Sequence, residues 1–322
     1  QNYQWALKFE PDYAEPYNNF GLALVDKKQF DAAIKCYRNS LKLKPGYAET
    51  YFNIGSALVQ KGDYDSAIKN LQKALQIMPN HHNACNNMGA ALRAKGELQA
   101  AIKSYDSAIK INPKNVDARY NKSLLLLNLE SFKKGWPAYE YRWKKSKLDS
   151  VPTLSSRPKW HLGDQGRVLV WGEQGIGDEI MFSSLIPDLH AACSHLIVKA
   201  DKRLIPILSR SFPKDIEFVE NSVPVAEDDY DAHIAMGSLP LHFRPNIESF
   251  KTAAQGYLSA DGKRAAALRD RLLSDGSEIL IGLSWHSTSK IRVAQKRTIS
   301  LGQLTRAFQA ENVKFVSLQY GD

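Results

Sequence analysis

The sequence predicts a helical N-terminal solenoid followed by an α/β domain with a mostly parallel sheet. A 34-residue period runs through residues 1–145, and short apolar runs alternate with amphipathic segments after residue 166. Residues 146–165 lie between these patterns and are rich in Lys, Ser, Pro and Gly, which is typical of a linker. The length of 322 residues is enough for two domains with cores of their own.

The period is carried by columns of residues spaced 34 apart. They are Pro11, Pro45, Pro79 and Pro113; Gly21, Gly55 and Gly89; Ala33, Ala67 and Ala101; and Tyr37, Leu71 and Tyr105. These columns predict a repeated helical hairpin, in which small residues lie at close helix contacts, large ones fill the gaps and proline ends the second helix. The pattern resembles the tetratricopeptide repeat, in about four copies.

The fourth copy loses the pattern after Leu126. Gly135 takes the alanine position, and aromatic residues follow at Trp136, Tyr139, Tyr141 and Trp143. A terminal repeat must cover the end of the stack or contact the next domain. We interpret this aromatic segment as a docking helix, and a simple capping helix is the alternative.

One column of the repeat is polar where packing does not require it. Its members are Asn19, Asn53, Asn87 and Asn121. A row of amides can hold an extended peptide backbone without contacting its side chains. The row is similar to the asparagine ladder of protein O-GlcNAc transferases, which implies a protein or peptide partner. The alternative is that the row has no special role, because asparagine is also common at this position in ordinary tetratricopeptide repeats.

The net charge of +9 is unevenly distributed. Residues 1–130 hold 17 basic and 12 acidic side chains, residues 131–165 hold 8 and 3, and residues 166–322 hold 18 and 19. The densest basic segment, 131–147, could contact an acidic partner or an anionic membrane surface, and a solvated helix face is the alternative. No nucleic-acid motif accompanies it, so we expect no nucleic-acid partner.

The cysteines and the hydropathy favour a cytoplasmic protein. Cys36, Cys85 and Cys193 lack metal-ligand spacing, and an odd, sparse count favours reduced thiols. No run of about 18 apolar residues predicts a transmembrane helix. No pattern of acidic or histidine residues predicts a metal site.

The second half alternates strands with helices. Strands are predicted at 167–171, 195–200, 216–220, 231–236, 278–285 and 313–319, and helices at 176–193, 202–211, 263–274 and 300–310. This alternation predicts a Rossmann-like sheet that binds ligands beyond the carboxyl ends of its strands. Residues 166–277 would form one such domain and 278–322 the start of a second. Only 45 residues remain for the second, so we expect a chain truncated at both ends.

The glycine-rich stretch "GEQGIGDEI" follows the first predicted strand and has three interpretations. Gly175, Gly177 and Asp201 could form a dinucleotide fingerprint, but Asp178 and Glu179 would repel a pyrophosphate at the helix N-terminus. The stretch could be a structural turn in which Asp178 caps the helix. It could also aim a catalytic carboxylate into a cleft.

Several motifs in a fixed order resemble the family 9-type, heptosyltransferase-like glycosyltransferases. These are "GEQGIGDEIMFSSLIPDL" at 172–189, "YEYRW" at 139–143, "DAHIAMGSLP" at 231–240, "IGLSWHS" at 281–287, "KRTISLGQL" at 296–304 and "VSLQYGD" at 316–322. The chain is most similar to bacterial proteins that fuse tetratricopeptide repeats to such a domain. The resemblance implies a GT-B fold, with the acceptor on the first Rossmann-like domain and a nucleotide-sugar donor on the second.

The resemblance also implies roles for individual residues. Asp178 would be the general base, while Gly175 and Gly177 let the acceptor approach; Glu173, Gln174 and His233 would line the same site. Between Trp285 and Ile299 the sequence holds basic residues and no acid, so this loop could bind the donor diphosphate, and a solvated loop is the alternative. The candidates there are Lys296, Arg297 and His286. The implied activity is metal-independent sugar transfer without a cofactor; the alternative is an inactive scaffold.

Overall fold

The computed structural model describes residues 13–145, 155–173, 175–251, 256–273, 279–283 and 313–318. The chain divides into two compact units. The first combines Gln1–Ile205 with Lys214–Gln255, and the second combines Pro206–Pro213 with Gly256–Asp322.

The first unit begins with consecutive helices that pair as hairpins. They are α1 (Ala14–Asp26), α2 (Phe30–Leu43), α3 (Ala48–Lys61), α4 (Tyr64–Ile77), α5 (His82–Ala94), α6 (Leu98–Ile111), α7 (Val116–Asn128) and α8 (Phe132–Tyr139). A 3₁₀ turn at Glu140–Lys144 follows α8. The predicted helical hairpin period is confirmed.

Close contact between paired helices explains the glycine column. A Cβ placed on Gly55 would lie 2.6 Å from Cγ of Leu71 and 3.3 Å from the backbone oxygen of Ala67. The large and small partners across these contacts are fully buried: Tyr37, Leu71, Tyr105, Ala33, Ala67 and Ala101. Each hairpin therefore places a glycine under a large side chain, as the 34-residue columns predict.

The aromatic segment at the end of the repeats packs on the sheet that follows. Trp136 Nε1 donates a hydrogen bond to the backbone oxygen of Arg244 at 2.8 Å. The rings of Phe132 and Phe250 lie 4.8 Å apart between centroids. Since Trp136 and Arg244 are 108 residues apart in the sequence, these contacts fasten the last repeat to the sheet region.

The sheet of the first unit has four parallel strands in the order β3-β2-β1-β4. They are β1 (Arg167–Trp171), β2 (His195–Ala200), β3 (Glu217–Glu220) and β4 (Ala232–Ala235). Leu169 of β1 pairs with Ile197 of β2 and with His233 of β4. Strands β1 and β4 are almost completely buried. Strand β1 lies inside the sheet, and the outer side of the edge strand β4 is covered by the segment around Lys159, which forms a parallel bridge with His233.

Short helices lie between and after these strands in the chain. Between β1 and β2 lie α9 (Ile176–Ser183) and α10 (Ile186–His190), and between β2 and β3 lies α11 (Ile205–Ser211), of which residues from Pro206 onward belong to the second unit. Strand β4 is followed by α12 (Leu239–Phe243) and α13 (Glu248–Lys251). The single helix predicted over 176–193 is wrong, because α9 ends at Ser183 and α10 begins at Ile186. Pro187 lies in the first turn of α10, where its missing N–H costs no helical hydrogen bond.

The second unit contains α14 (Gly262–Leu272) and the parallel strands β5 (Ile279–Leu283) and β6 (Val313–Ser317). Asp261 caps α14 by accepting a hydrogen bond from the Arg264 amide at 3.0 Å. The helix predicted over 300–310 lies outside the described residues. Across the described ranges, we find no helix with the length and apolar character needed to cross a membrane.

Candidate functional site

The strand order creates a candidate site between β1 and β4. From β1 the chain runs outward through β2 and β3, and then returns to place β4 on the other side of β1. The connections therefore diverge at the carboxyl ends of β1 and β4, which is where open parallel sheets bind ligands. The segment 172–175 and the turn 236–238 leave the sheet at this point.

Asp178 lies in the first turn of α9, directly above this point. Its Oδ2 accepts a hydrogen bond from the Gly175 amide at 3.3 Å, and its own amide donates to the Gly175 oxygen at 2.9 Å. Gly175 and Gly177 are exposed, and a Cβ on Gly177 would meet no atom within 4 Å. The loop is thus accessible to an approaching molecule, and the Asp178 side chain caps the N-terminus of α9. Gln174 lies outside the described residues.

Glu173 forms a fully buried ion pair with Arg142. Arg142 Nε and Nη2 donate to the two carboxylate oxygens of Glu173 at 3.0 and 2.7 Å. Arg142 Nη2 also donates to Ser238 Oγ at 2.7 Å, and Nη1 contacts Glu140. The Gly237 amide donates to Glu173 Oε1 at 3.0 Å. One guanidinium therefore joins the end of the repeats to the loops after β1 and β4.

The pairing leaves Glu173 no free carboxylate oxygen for a substrate. Its side chain is 0% exposed and that of Arg142 is 1% exposed. Burial works against the charged guanidinium, but hydrogen bonds to Glu173 and Glu140 raise the pKa of Arg142 above its ordinary value. Sequence reasoning missed Arg142, which it placed in the basic segment 131–147. The signal was its position between aromatic residues: the Tyr139 and Trp143 rings lie 4.5 and 4.4 Å from its guanidinium carbon.

A second buried carboxylate, Glu179, fills the crevice between β1 and β2. Its Oε2 accepts from the Asp201 amide at 2.7 Å, and its Oε1 accepts from Asn221 Nδ2 at 3.1 Å. A Cβ on Gly172 would lie 2.5 Å from the Glu179 carboxylate, and burial raises the pKa of Glu179. A dinucleotide pyrophosphate would have to displace this group, which disfavours the dinucleotide interpretation.

His233 lies within β4, where it is 8% exposed. Its Nδ1 accepts a hydrogen bond from Trp171 Nε1 at 3.2 Å. Burial, aided by the nearby Lys159 charge, lowers the pKa of His233. The ring lines a cavity of about 390 Å³ together with Trp143, Trp160 and Trp171.

Two of the four ladder asparagines are bonded to another asparagine of a neighbouring repeat. Asn53 Nδ2 donates to Asn18 Oδ1 at 2.9 Å, and Asn121 Nδ2 donates to Asn86 Oδ1 at 3.1 Å. Asn53 is buried, at 5% exposure. These bonds join first helices of successive repeats, so part of the amide row supports the stack itself.

A third ladder asparagine, Asn87, is bonded across repeats to a serine. Its Nδ2 donates to Ser56 Oγ of α3 at 2.7 Å, and Asn87 is half-buried. Asn19 is exposed on α1. Each bonded amide group keeps a second N–H, so Asn87 and Asn121 retain donor capacity at the surface.

The predicted donor-phosphate residues Lys296, Arg297 and His286 lie outside the described residues. Within the part of the chain that the structure describes, no group of three or more His, Cys, Asp or Glu side chains could hold a metal ion.

Family comparisons identify the repeats. Residues 21–62 match a family described as TPR repeat. Residues 46–114 and 86–146 match two families that are each described as tetratricopeptide repeat. The chain therefore carries tetratricopeptide repeats from about residue 21 to residue 146, and the resemblance inferred from the sequence is confirmed for this half.

One curated relative and several solved structures are similar to the chain. Protein FlbA of Caulobacter vibrioides is 30% identical over 222 residues, which cover 63% of this chain and 37% of FlbA. The chain thus spans little more than a third of that protein's length. The solved structure of MamA is 25% identical in sequence to this chain. The match covers 44% of this chain and 88% of the MamA chain, with a TM-score of 0.39. YrrB, described as a TPR protein with an unusual peptide-binding site, is 21% identical, covering 44% and 73%, with a TM-score of 0.39.

Proposed function

We propose that this chain is the acceptor side of a metal-independent GT-B glycosyltransferase, in which the repeats bind a protein or peptide. The observation that carries the proposal is the position of Asp178. It lies in the first turn of α9, beside the exposed Gly175 and Gly177 and near the point where the connections from β1 and β4 diverge, so a hydroxyl-bearing acceptor can approach it. A nucleotide-sugar donor would bind on the second unit.

The hydrogen bonding of the loop supports a base that is held in place. Asp178 Oδ2 faces the Gly175 amide at 3.3 Å, which fixes the side chain, while the other oxygen, Oδ1, has no hydrogen-bond partner among the described residues. A carboxylate can accept further hydrogen bonds on its remaining lone pairs. Asp178 can therefore cap α9 and still receive the proton of an acceptor hydroxyl.

The test for transfer is a radiolabelled assay with the natural full-length protein, using UDP-, GDP-, ADP- and CMP-sugars as donors and a lysate of the source cells as acceptor. Asp178→Asn keeps the acceptor oxygen for the Gly175 amide but loses the basic carboxylate. We expect Asp178→Asn to lower transfer by at least about 100-fold, the usual scale for a general base, with little change in melting temperature.

The control is Asp63→Asn, which changes the N-cap of α4, where Asp63 accepts from the Ser66 amide at 3.2 Å. Asp63→Asn should leave transfer unchanged. Equal activity of the wild type and Asp178→Asn would make Asp178 only a cap. No transfer with any donor would favour the alternative function, a scaffold without activity.

The peptide-binding part of the proposal depends on Asn87 and Asn121, because both amides are half-buried and keep a donor. The probe is a phage-displayed library of random dodecapeptides selected on the full chain. We expect the enriched peptides to lose binding to the double variant Asn87→Ala/Asn121→Ala. Asn70→Ala is the control, since Asn70 lies on the second helix of its hairpin and donates to the Ser66 oxygen.

A further inference from the structure

A groove opens between α4 and α6, the second helices of two successive hairpins. Its volume is about 740 Å³, within the range of about 300–1,000 Å³ that is usual for binding pockets. Its floor consists of the buried Cys85 and the half-buried Leu75 and Met88, while Ser107 and Ile111 are exposed at its rim. The groove therefore gives a partner access to an apolar floor between two helices.

The groove exists because its hairpin lacks a large side chain that the preceding hairpin has. Tyr51 lies at the same repeat position as Cys85, 34 residues earlier. Tyr51 packs on the buried cluster that contains Ala74 of α4, and Cys85 belongs to the cluster that contains the equivalent Ala108 of α6. Since a thiol is much smaller than a phenol ring, the space that Tyr51 fills in one hairpin is left open in the next.

Cys85 contributes an apolar surface to the groove rather than reactive chemistry. Its side chain is 4% exposed, and burial raises the pKa of its thiol above the ordinary value. The neutral thiol behaves as a small apolar group and is a weak nucleophile. The floor is thus suited to an apolar side chain of a partner.

The rim of the groove is positively charged. Lys103 and Lys110 of α6 line it, and no acidic residue is found among the described residues that do so. Both lysines are exposed, and neither forms an ion pair within the part of the chain that the structure describes. They are seven residues apart, which is about 10 Å along one side of a helix.

The acidic residues of the surrounding helices do not neutralise these lysines. Helices α4 and α6 hold one acidic residue each, and α5 holds none. Asp65 of α4 pairs with Lys95 at 2.7 Å, and Asp106 of α6 pairs with Lys122 at 2.5 Å. Because both carboxylates have lysine partners outside the groove, the rim keeps an excess of positive charge that attracts carboxylates.

We propose that this groove binds an acidic segment of a partner protein, which inserts a large apolar side chain over Cys85 and places carboxylates beside Lys103 and Lys110. The inserted side chain occupies the space that the Tyr51 ring occupies one repeat earlier. The site goes beyond the proposed function, since it uses neither the asparagine row of the first helices nor Asp178. Binding at the groove and sugar transfer are separate properties, and each can fail without the other.

The probe is a phage-displayed library of random dodecapeptides, selected on the full chain and counter-selected on Cys85→Tyr. This substitution gives the third hairpin the side chain that the second has at Tyr51, and so fills the groove. We expect the peptides that bind only the wild type to carry an excess of Asp and Glu around a Phe, Trp, Leu or Ile. By fluorescence anisotropy, Cys85→Tyr should weaken their binding at least about tenfold, the effect of losing one buried apolar side chain.

The double variant Lys103→Gln/Lys110→Gln tests the charges, and Lys69→Gln/Lys73→Gln is its matched control. Lys69 and Lys73 are exposed on α4 and lie outside the groove lining, so both double variants change the net charge equally. We expect the groove variant to weaken binding by about 2- to 30-fold, the range for two exposed ion pairs. It should also reduce the dependence of binding on NaCl concentration, and the control should change neither property.

Three results would overturn the proposal: no peptide that separates the wild type from Cys85→Tyr, enriched peptides without an acidic excess, or equal binding of a polyglutamate peptide that has no apolar side chain. If Cys85→Tyr does not fold, Ser107→Trp replaces it, because a bulky ring at this exposed rim position closes the groove from outside. Undiminished binding by folded Ser107→Trp would contradict the assignment. The selected peptides should bind Asn87→Ala/Asn121→Ala as tightly as the wild type, and a loss there would place them on the asparagine row instead.

Discussion

Arg142 is the residue whose loss should cost the first unit most. Removing it leaves the Glu173 carboxylate buried, with only the Gly237 amide at 3.0 Å as a donor. Breaking one side of a buried ion pair typically costs about 3–5 kcal/mol. We expect Arg142→Met to lower the free energy of unfolding by this amount in urea titrations.

Two further variants separate the charge from the packing. Arg142→Met together with Glu173→Leu removes both charges and should recover most of the loss, because no uncompensated charge remains. Lys44→Met breaks the exposed pair with Glu15 and should not change stability measurably. If the single and double variants are equally unstable, packing of the guanidinium between aromatic rings outweighs its charge.

His233 gives the stability of the first unit a pH dependence of known sign. Burial lowers its pKa from 6.5, so the unfolded chain takes up the proton before the folded chain does. The His233 contribution therefore leaves stability unaffected above pH 6.5 and lowers it as the pH falls from there through the folded pKa. We expect the free energy of unfolding to fall less steeply between pH 7.5 and 5.5 in His233→Gln than in the wild type, with a difference of at most about 1.4 kcal/mol per pH unit. Parallel curves would mean that His233 is not the titrating group.

At the scale of the element, each hairpin of the solenoid depends on its glycine. Gly55→Ala gains helix propensity of about 1 kcal/mol, but its Cβ would lie 2.6 Å from Leu71 Cγ in a contact that includes backbone. Overpacking of this kind costs about 1–3 kcal/mol. We expect a net loss of stability by thermal unfolding. Leu71→Ala should cost less in the Gly55→Ala chain than in the wild type, because it relieves this contact while it removes a buried side chain. Gly46→Ala is the control, since a Cβ there would meet no atom within 4 Å.

Periodic and local features of the sequence could predict the elements but not their junctions. The 34-residue columns predicted small residues at the close helix contacts and large residues in the gaps, because those contacts recur within each hairpin. Strands β1 and β2 occupy the predicted 167–171 and 195–200. The break between α9 and α10 was missed, since an amphipathic pattern continues across Pro187. The Arg142–Glu173 pair could not be predicted, because its partners are 31 residues apart and meet only after the last repeat packs on the sheet.

At the scale of the whole molecule, the packing of α8 makes the last repeat and the sheet region of the first unit depend on one another. Trp136 Nε1 bonds the Arg244 oxygen at 2.8 Å, directly after α12, and Arg142 bonds the loops after β1 and β4. Repeat proteins usually lose cooperativity between distant repeats, since each repeat contacts only its neighbours. A terminal repeat fastened to a globular sheet should instead share the sheet's protection against local opening.

Hydrogen exchange with Trp136→Phe tests this dependence. The substitution keeps an aromatic ring beside Phe132 but removes the hydrogen bond to Arg244. We expect faster amide exchange in both α8 and α12, because the lost hydrogen bond joins α8 to the residue that follows α12. Exchange in α1 and α2 should not change, because these helices lie several repeats away. Faster exchange in α8 alone would show that the repeats open independently of the sheet. In that case, binding of a partner to the solenoid could not change the conformation of the Asp178 loop through α8. Joint opening of α8 and α12 would instead couple the two regions through the Arg142–Glu173 ion pair.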